Sequence, residues 1–257
     1  MSAVAGVAAG VKTIKVLENS AALLDLLADR GALSQAEIAG LLGIPRPSVY
    51  RLVEAMEVIG FVTIDSDGAI RLGLELLHLA SSALSQTPEL RRAQGFLTEL
   101  HEQTGQTVYF GVRRGAQIVC LDRRDGATVS LLVLSPGGTL PPHAGALSRA
   151  IVAFDDEFRK RAVSHEPFEP FTPHTLTTAD QLEADAELTR SRGFSISDED
   201  VTIGVAALGV PVFSATGQLA GALSVAGLRG EIITNSDEFY RLLDAAARAL
   251  GENLVTT

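Results

Sequence analysis

Apolar residues at helical spacing predict a helix–turn–helix near the start of the chain. They recur every three or four residues from Thr13 to Arg30, which predicts a first helix that stops at Gly31. Ser34 and Glu37 then have the spacing of a capping box at the start of a second helix. A third helix is predicted from a stripe at i, i+3, i+4 and i+7, made of Val49, Leu52, Val53 and Met56.

The residues around this stripe predict a turn before the third helix and a β-hairpin after it. Gly43 permits a sharp turn, and Pro45 and Pro47 suit the first turn of a helix, where amides have no helical acceptor. After Gly60, "FVTI" and "AIRL" flank "DSDG", two short alternating runs around an Asp-Gly turn. A helix–turn–helix followed directly by a hairpin is a winged helix–turn–helix, which we predict for residues 1–72.

Two helical segments follow and form a predicted linker over residues 73–105. The first runs from Gly73 to Leu84, and the second has Thr87 as its N-cap and Gly105 as its stop. From Gln106 the pattern changes to strand-like runs separated by turns, which read "TVYFGVRRG", "AQIVCLDRR" and "TVSLLVL".

The rest of the chain mixes helices with strands. One helix is predicted to start near His143, and a second follows the Thr178–Gln181 capping box. "GVAALGVPVF" and "QLAGALSVAG" read as paired strands, and Asn235 is predicted to cap a last helix that ends before Gly251. Residues 106–257 are therefore predicted to form an α+β domain around a mostly antiparallel sheet.

Composition and charge indicate a folded protein that is not strongly basic. The chain has 257 residues, 46% of them hydrophobic, and a formal net charge of −10. No apolar run approaches the ~20 residues that span a bilayer, and the start lacks the early basic residue of a signal peptide. The only cysteine, Cys120, excludes an intrachain disulfide, fits a cytoplasmic setting, and lies in an apolar run that favours a buried thiol over a redox sensor.

The candidate DNA contacts lie on the predicted recognition helix and the wing. The N-terminal half of such a helix enters the major groove, where arginine reads guanine and hydroxyls hold phosphates. The predicted contacts are Arg46, Ser48, Tyr50, Arg51 and, on the wing, Arg71. The alternative is that these are ordinary solvated residues; their place on the outer face of this motif favours the DNA interpretation.

The charge of the N-terminal region limits how DNA can be bound. Residues 1–72 carry six basic and eight acidic side chains, a net charge of −2, although two arginines and no acid lie between Pro45 and Val53. Because affinity for DNA depends on neutralising phosphates, we expect modest affinity for each domain, strong dependence on salt, and an obligate oligomer as the binding unit.

Four stretches in this order resemble the IclR-type bacterial transcription regulators. They are "SQAEIAGLLGIPRPSVYRLVEAMEVIGFV", "LPPHAGALSRAIVAF", "GFSISDEDVTIGVAALGVPVF" and "QLAGALSVAGL". The resemblance implies an N-terminal winged helix–turn–helix, a linker helix, and a C-terminal domain that binds a small-molecule effector. It also implies homodimers, often paired into homotetramers, that bind operator DNA and control catabolic operons. Repression is the commoner mode, but the residues do not choose the sign.

An effector site is predicted where a loop meets the helix near His143. Small residues at a helix N-terminus leave amides that attract an anion, and those of Ala146 and Leu147 match the positions at which the family holds a ligand carboxylate. The resemblance adds Ser224 and, less securely aligned, Asp198. It places apolar wall residues at Val129, Leu132, Leu140 and Val205.

Two departures from the family bear on the size of the effector. Ala207 and Ala226 stand where members that bind very small acids have a cysteine and a serine. The loss of polar groups predicts a larger or more apolar acid, aromatic or branched, than a two- or three-carbon oxoacid. Alternatively, both alanines simply pack the sheet, and His143 is a cap or core histidine beside the pocket.

An enzyme is the competing class of function, and the residues give it little support. The chain has no Gly-x-Ser-x-Gly elbow, no His-Glu-x-x-His, no P-loop and no clustered metal-ligand spacing, and its five histidines are scattered. No cofactor or metal is therefore expected. A third interpretation keeps the fold but has no specific DNA binding, leaving a small-molecule-binding interaction module.

Overall fold

The computed structural model describes residues 14–126 and 134–254. The chain divides into two compact units, Met1–Gln86 and Thr87–Thr257. The elements described in the N-terminal unit are α1 (Lys15–Arg30), α2 (Gln35–Leu42), α3 (Arg46–Val58), β1 (Val62–Ile64), β2 (Ile70–Leu72) and α4 (Glu75–Ser85). The two strands pair antiparallel, so the predicted winged helix–turn–helix is confirmed.

The N-terminal unit is stabilised by the apolar stripe and the cap that its sequence predicts. All four predicted residues of α3 are buried, and they pack with Leu23 of α1 and Ile38 of α2. The capping box is present: the Ser34 hydroxyl accepts from the Glu37 amide at 3.3 Å, and the Glu37 carboxylate accepts from the Ser34 amide at 2.8 Å. That backbone hydrogen bond, followed by one from the Ser34 hydroxyl, lowers the pKa of Glu37. Gly43 adopts the left-handed conformation, with φ 65°, that the turn requires.

The C-terminal unit is an α+β domain around an antiparallel sheet. Its described helices are α5 (Pro88–Thr104), α6 (Ala146–Phe154), α7 (Asp156–Val163), α8 (Ala179–Arg192), α9 (Arg229–Thr234) and α10 (Ser236–Glu252). Its described strands are β3 (Thr107–Arg114), β4 (Gln117–Arg124), β5 (Thr139–Leu140), β6 (Ser195–Asp198), β7 (Val205–Phe213) and β8 (Leu219–Leu228). The strand order is β5-β4-β3-β8-β7-β6.

Helices cover both faces of this sheet. Alternate residues of β3, such as Val108 and Phe110, pack with α5 and α10. Tyr109, between them, points to the other face, where α6, α7 and α8 lie. Cys120 is buried on the second face, as predicted, and burial raises the pKa of its thiol to about 12.

Helix α5 packs as part of the C-terminal unit, which differs from the linker of residues 73–105 that the sequence suggested. Its face is made of Leu90, Ala93, Leu97 and Leu100, all buried. The last three of these pack in one core with Phe239 and Leu243 of α10. Helix α4, by contrast, has no buried residue in the N-terminal unit.

The predicted start and end of the last helix are wrong in their details. The Asn235 side chain does not cap α10; it donates to the Glu231 carbonyl at 2.8 Å, because α9 runs directly into α10 and leaves Asn235 without the extended backbone of a cap. Gly251 does not stop the helix, which continues to Glu252. A Cβ at Gly251 would lie 1.9 Å from the Phe213 carbonyl oxygen, so glycine there permits a close approach to β7.

Four described elements were not predicted from the sequence: strands β5 and β6 and helices α7 and α9. All four are short, which makes their patterns weak in sequence. The predicted strand "TVSLLVL" falls almost wholly on residues 127–133, outside the described residues. No helix among the described residues is long and apolar enough to cross a membrane.

Candidate functional site

The outer face of α3 carries a cluster of exposed side chains that we call the recognition surface: Arg46, Tyr50 and Arg51. They project from the first half of α3 because the apolar stripe from Val49 to Met56 fixes the opposite face in the core. Neither arginine forms an ion pair with another described residue, so both guanidinium groups are available to a ligand. Ser48 is half-buried beside them, and its amide donates to the Pro45 carbonyl at 2.8 Å.

Arg71, on the wing, forms an ion pair, unlike the two arginines of the recognition surface. Arg71 lies on β2 opposite Thr63, and its guanidinium pairs with the Asp65 carboxylate near the turn of the hairpin. Both side chains are partly exposed, so water and salt screen the pair. The paired carboxylate offsets part of the positive charge that Arg71 would offer a phosphate.

The C-terminal unit contains a cavity above one face of its sheet. Two neighbouring rows of small side chains form the floor. In one row Ser197, Ala207 and Ala226 pair across β6, β7 and β8, and in the next Ser224 of β8 pairs with Tyr109 of β3. Apart from Tyr109, this floor consists of alanine and serine, which leaves space between the sheet and the elements above it.

The walls of the cavity are mainly apolar. The N-terminus of α6 forms one side, with Gly145, Ala146 and Leu147. The remaining wall residues come from two connecting segments, from β5 and from the start of β7: Leu134, Leu140, Val201, Thr202 and Val205. The volume is about 60 Å³. An engineered apolar cavity that holds benzene measures roughly 150 Å³, so an aromatic acid and a branched acid would both require these side chains to move.

One hydrogen bond and one glycine let the N-terminus of α6 lie close to the sheet. The Ser195 hydroxyl donates to the Ala146 carbonyl at 2.6 Å, and a Cβ at Gly209 would lie 2.5 Å from the same oxygen. Glycine is therefore needed at position 209 for the helix to approach. The amides of Ala146 and Leu147 have no acceptor among the described residues, so they can bind an anion together with the helix dipole.

A buried ionic network lies behind this helix end. The Arg149 guanidinium on α6 is 3.4 Å from the Asp185 carboxylate on α8 and 3.3 Å from the Asp200 carboxylate. Asp200 also accepts from the Gly145 amide at 3.1 Å, which fixes the residue that precedes α6. Burial raises the pKa of Asp185, against the opposing effect of Arg149. Arg149 is thus committed to two acids and does not line the cavity.

The cavity brings together seven of the ten residues that the sequence suggested for the effector: Leu140, Ala146, Leu147, Val205, Ala207, Ser224 and Ala226. Val129 and Leu132 lie outside the described residues. Asp198 does not reach the cavity, because its carboxylate pairs with Arg229 at 2.6 and 2.9 Å. The buried acid next to the site is Asp200, two residues further on.

Six other residues line the cavity and were not predicted from the sequence: Tyr109, Leu134, Gly145, Ser197, Val201 and Thr202. The alternation of β3 and β6 was the available signal for Tyr109 and Ser197, but it does not say which face bears a ligand. Burial raises the pKa of Tyr109, so its phenol stays protonated. Arg123 lies behind it, 5.8 Å from the ring centroid, and donates to the Leu134 carbonyl at 2.9 Å.

His143 is a core residue rather than a cavity residue. It stacks on Phe168 with ring centroids 4.8 Å apart, and its Nε2 is 3.0 Å from the Glu169 carbonyl. Burial lowers the pKa of this histidine. Among the residues described, no group of three or more His, Cys, Asp or Glu side chains has the arrangement to hold a metal ion.

Comparison with sequence families gives two matches that follow the two units. A profile described as bacterial transcriptional regulator IclR C-terminal matches residues 81–252, and one described as IclR helix-turn-helix domain matches residues 16–66. The chain is also 26% identical over 246 residues to the HTH-type transcriptional regulator XynR of Escherichia coli, which covers 93% of this chain and 98% of that protein.

Solved structures share the same fold. An IclR transcriptional regulator from Alicyclobacillus acidocaldarius superposes with a TM-score of 0.79 at 21% identity, covering 93% of this chain and 98% of that one. An IclR homologue from Microbacterium hydrocarbonoxydans, complexed with 4-hydroxybenzoate, has a TM-score of 0.77 at 21% identity and covers 93% and 99% of the two chains.

Proposed function

Because the chain belongs to the IclR family of bacterial transcriptional regulators, we propose that it binds operator DNA with the recognition surface of α3 and a small organic acid in the cavity. Members of this family are ligand-responsive DNA-binding regulators, and the chain is one of them. The competing interpretation as an enzyme loses its support, since the matches are to regulators that contain a helix–turn–helix.

The exposure of Arg46 and Arg51 supports the DNA contact. Both lie on the first half of α3, where neither is held by an acid of the described chain. Replacing Arg51 by Ala should weaken binding to the promoter region beside the gene by about five- to 150-fold, the effect of losing one base contact. A gel shift measures this, with Arg241→Ala of α10 as a charge-matched control. An unchanged shift in Arg51→Ala would contradict the assignment of the recognition surface.

Arg71 should make a smaller, sequence-independent contribution. Its pairing with Asp65 leaves less net charge for a phosphate, and a backbone contact does not read bases. Arg71→Ala should weaken binding to all DNA sequences equally and reduce the slope of log affinity against log salt by about one. A loss confined to one operator sequence would show that Arg71 reads bases instead.

The effector proposal is carried by one observation: two helix amides without an acceptor among the described residues belong to residues that line a largely apolar cavity. The described residues that line the cavity include no Lys, Arg or His, so a ligand carboxylate would be held by the amides of Ala146 and Leu147. Ala207 and Ala226 leave apolar space where the remainder of the ligand would lie. The related structure with 4-hydroxybenzoate shows that this fold accommodates an aromatic acid in a relative.

A thermal-shift and calorimetry screen tests the effector proposal. The set should contain branched acids, aromatic acids, and glyoxylate and pyruvate as very small ones. An acid present at one hundred times its Kd should stabilise the unit that binds it by about 2.7 kcal/mol. Tight binding of glyoxylate or pyruvate, with none of the larger acids, would contradict the predicted size of the effector.

We also propose that the chain acts as a homodimer, and as a dimer of dimers, in the cytoplasm. Apolar side chains of the N-terminal unit are exposed on α1 and around α4: Ile14, Val16, Leu17, Leu74, Leu77 and Leu79. Such a set marks an interaction surface. Leu77→Glu should shift sedimentation velocity towards the monomer and weaken operator binding. If Leu77→Glu sediments like the wild type, α4 is not part of the interface.

The effector would act by favouring one arrangement of the dimer, which requires different affinities for the two arrangements. We propose that the chain represses a catabolic operon and is released from DNA by the acid. A reporter fused to the promoter measures the sign: deletion of the regulator should raise expression. Lower expression in the deletion strain would instead show an activator.

A further inference from the structure

The hydroxyl of Ser197 has its hydrogen-bonding role fixed by a buried acid. Ser197 is on β6, lines the cavity beside Ala207, and is 5% exposed. Its hydroxyl donates to Oδ1 of Asp200. A serine hydroxyl has a single proton, so the donor capacity of Ser197 is used within the protein.

The contacts of Asp200 keep the Ser197 proton directed at its carboxylate and away from the cavity. Asp200 is 1% exposed, and its carboxylate is surrounded by donors, with the Gly145 amide at 3.1 Å and the Arg149 guanidinium at 3.3 Å. An ionised carboxylate only accepts hydrogen bonds, so the Ser197 proton has no alternative that keeps Asp200 satisfied. The lone pairs of Ser197 Oγ are what remains for a ligand.

The acceptor at Ser197 lies close to the proposed carboxylate site. Ser197 Oγ and the Gly145 amide both bind the same carboxylate group, so they are within about 8 Å of each other. The free amides of Ala146 and Leu147 follow Gly145 directly. Ser197, Ala146 and Leu147 also line the same cavity, so a small ligand held at those amides can present its second or third carbon to Ser197.

We propose that this arrangement selects an acid with a hydrogen-bond donor on its second or third carbon, a hydroxy or amino acid, over the matching oxo acid. The proposal rests on the function proposed above, in which the cavity holds a carboxylate. An oxo group would place an acceptor against the acceptor of Ser197, and an unsubstituted acid would leave that oxygen without a donor.

Matched acids of one carbon skeleton test the preference on the full chain by calorimetry. The probes are 2-hydroxy-3-methylbutanoate, 3-hydroxy-3-methylbutanoate, 2-oxo-3-methylbutanoate and 3-methylbutanoate. The better of the two hydroxy acids should bind about three- to tenfold more tightly than the oxo and unsubstituted acids, the effect of one neutral hydrogen bond. Equal binding of hydroxy and oxo acids overturns the inference and leaves the effector proposal intact. Absence of binding by all four at millimolar concentration overturns both.

Variants separate the role of the hydroxyl from the shape of the ligand. In Ser197→Ala the preference for the hydroxy acid should fall to within about twofold, while 3-methylbutanoate binds as before. Ser191→Ala on α8, whose hydroxyl donates to the Leu188 carbonyl outside the cavity, is the matched control and should keep the preference. In Asp200→Asn the side-chain amide can donate to Ser197 and free its proton, so the oxo acid should gain relative to the hydroxy acid. If Ser197→Ala prefers the hydroxy acid over the oxo acid as strongly as the wild type does, the inference is overturned.

Discussion

The recognition surface and the cavity are built in opposite ways. The recognition surface comes from six consecutive positions of one helix, and its side chains point away from the protein. The cavity is assembled from strands as distant in sequence as β3 and β8, and most of its lining side chains belong to the core. A change on the recognition surface should therefore alter binding alone, whereas a change in the cavity should alter binding and folding together.

Leu147→Ala should have the largest effect on stability and ligand binding together. Leu147 is 3% exposed, lines the cavity and packs in the core beneath α6. Truncation should lower the free energy of unfolding of the C-terminal unit by about 2–5 kcal/mol and enlarge the cavity, favouring bulkier acids. Denaturant unfolding and calorimetry measure the two effects. Leu188→Ala on α8, 58% exposed, is the control and should change stability by less than about 0.5 kcal/mol.

Gly209→Ala tests whether the closeness of α6 to the sheet matters. The added Cβ would lie 2.5 Å from the Ala146 carbonyl oxygen, and a backbone atom cannot move aside cheaply. We expect a loss of about 1–3 kcal/mol of stability and weaker binding of acids, since the two amides proposed to hold the carboxylate, those of Ala146 and Leu147, flank that carbonyl. Gly95→Ala in α5, where a Cβ meets nothing within 4 Å, should be neutral or stabilising. Unaltered acid affinity in Gly209→Ala would show that acid binding does not depend on how closely α6 approaches the sheet.

Each unit contains one capping box, so the same kind of substitution can be made in both. Ser34→Ala and Thr178→Ala each remove one side-chain cap, which should cost about 1 kcal/mol of the unfolding free energy of the unit that contains it. Ser34→Ala should leave acid binding unchanged, and Thr178→Ala should leave the DNA contacts of α3 unchanged. Thermal unfolding combined with the two binding assays measures this. Loss of acid affinity in Ser34→Ala would show that the units do not separate as described.

The smallest expected effect is a dependence on pH from His143. Burial lowers the pKa of the folded histidine, so the unfolded chain binds the proton more readily. The contribution to stability is complete above the ordinary pKa of about 6.5 and is lost as the pH falls through that value towards the folded pKa. His143→Gln should flatten the acid side of the stability profile relative to the wild type. Parallel profiles for His143→Gln and the wild type would show that another group titrates.

Local patterns predicted the recognition helix almost residue by residue, because spacing within one helix fixes which face is buried. The stripe from Val49 to Met56, the Ser34 cap and the turn at Gly43 all required only neighbours within one or two turns. Asn235 shows the limit of such patterns, since α9 immediately before it changes the backbone that a cap needs.

The cavity could not be derived in the same way, because its geometry depends on strand pairing. Alternation shows that Ser197 and Tyr109 have a face, but only the register places Ala207 beside Ser197 and Ser224 beside Tyr109. The resemblance to a family gave seven of the lining residues, yet it chose Asp198 where the structure buries Asp200. These two acids differ because Arg229 pairs with Asp198 away from the cavity, whereas the Gly145 amide donates to the buried Asp200.

Operator binding with and without an acid in the cavity tests the central claim most directly. Fluorescence anisotropy of a promoter fragment, measured on the full chain with and without the acid that stabilises it most, should show at least about a fivefold change in Kd for DNA. Ala226→Leu, which fills the cavity from its floor, should bind DNA like the wild type without the acid and lose the change. An acid that stabilises the protein but leaves its affinity for DNA unaltered, or an equal change in Ala226→Leu, would contradict the account.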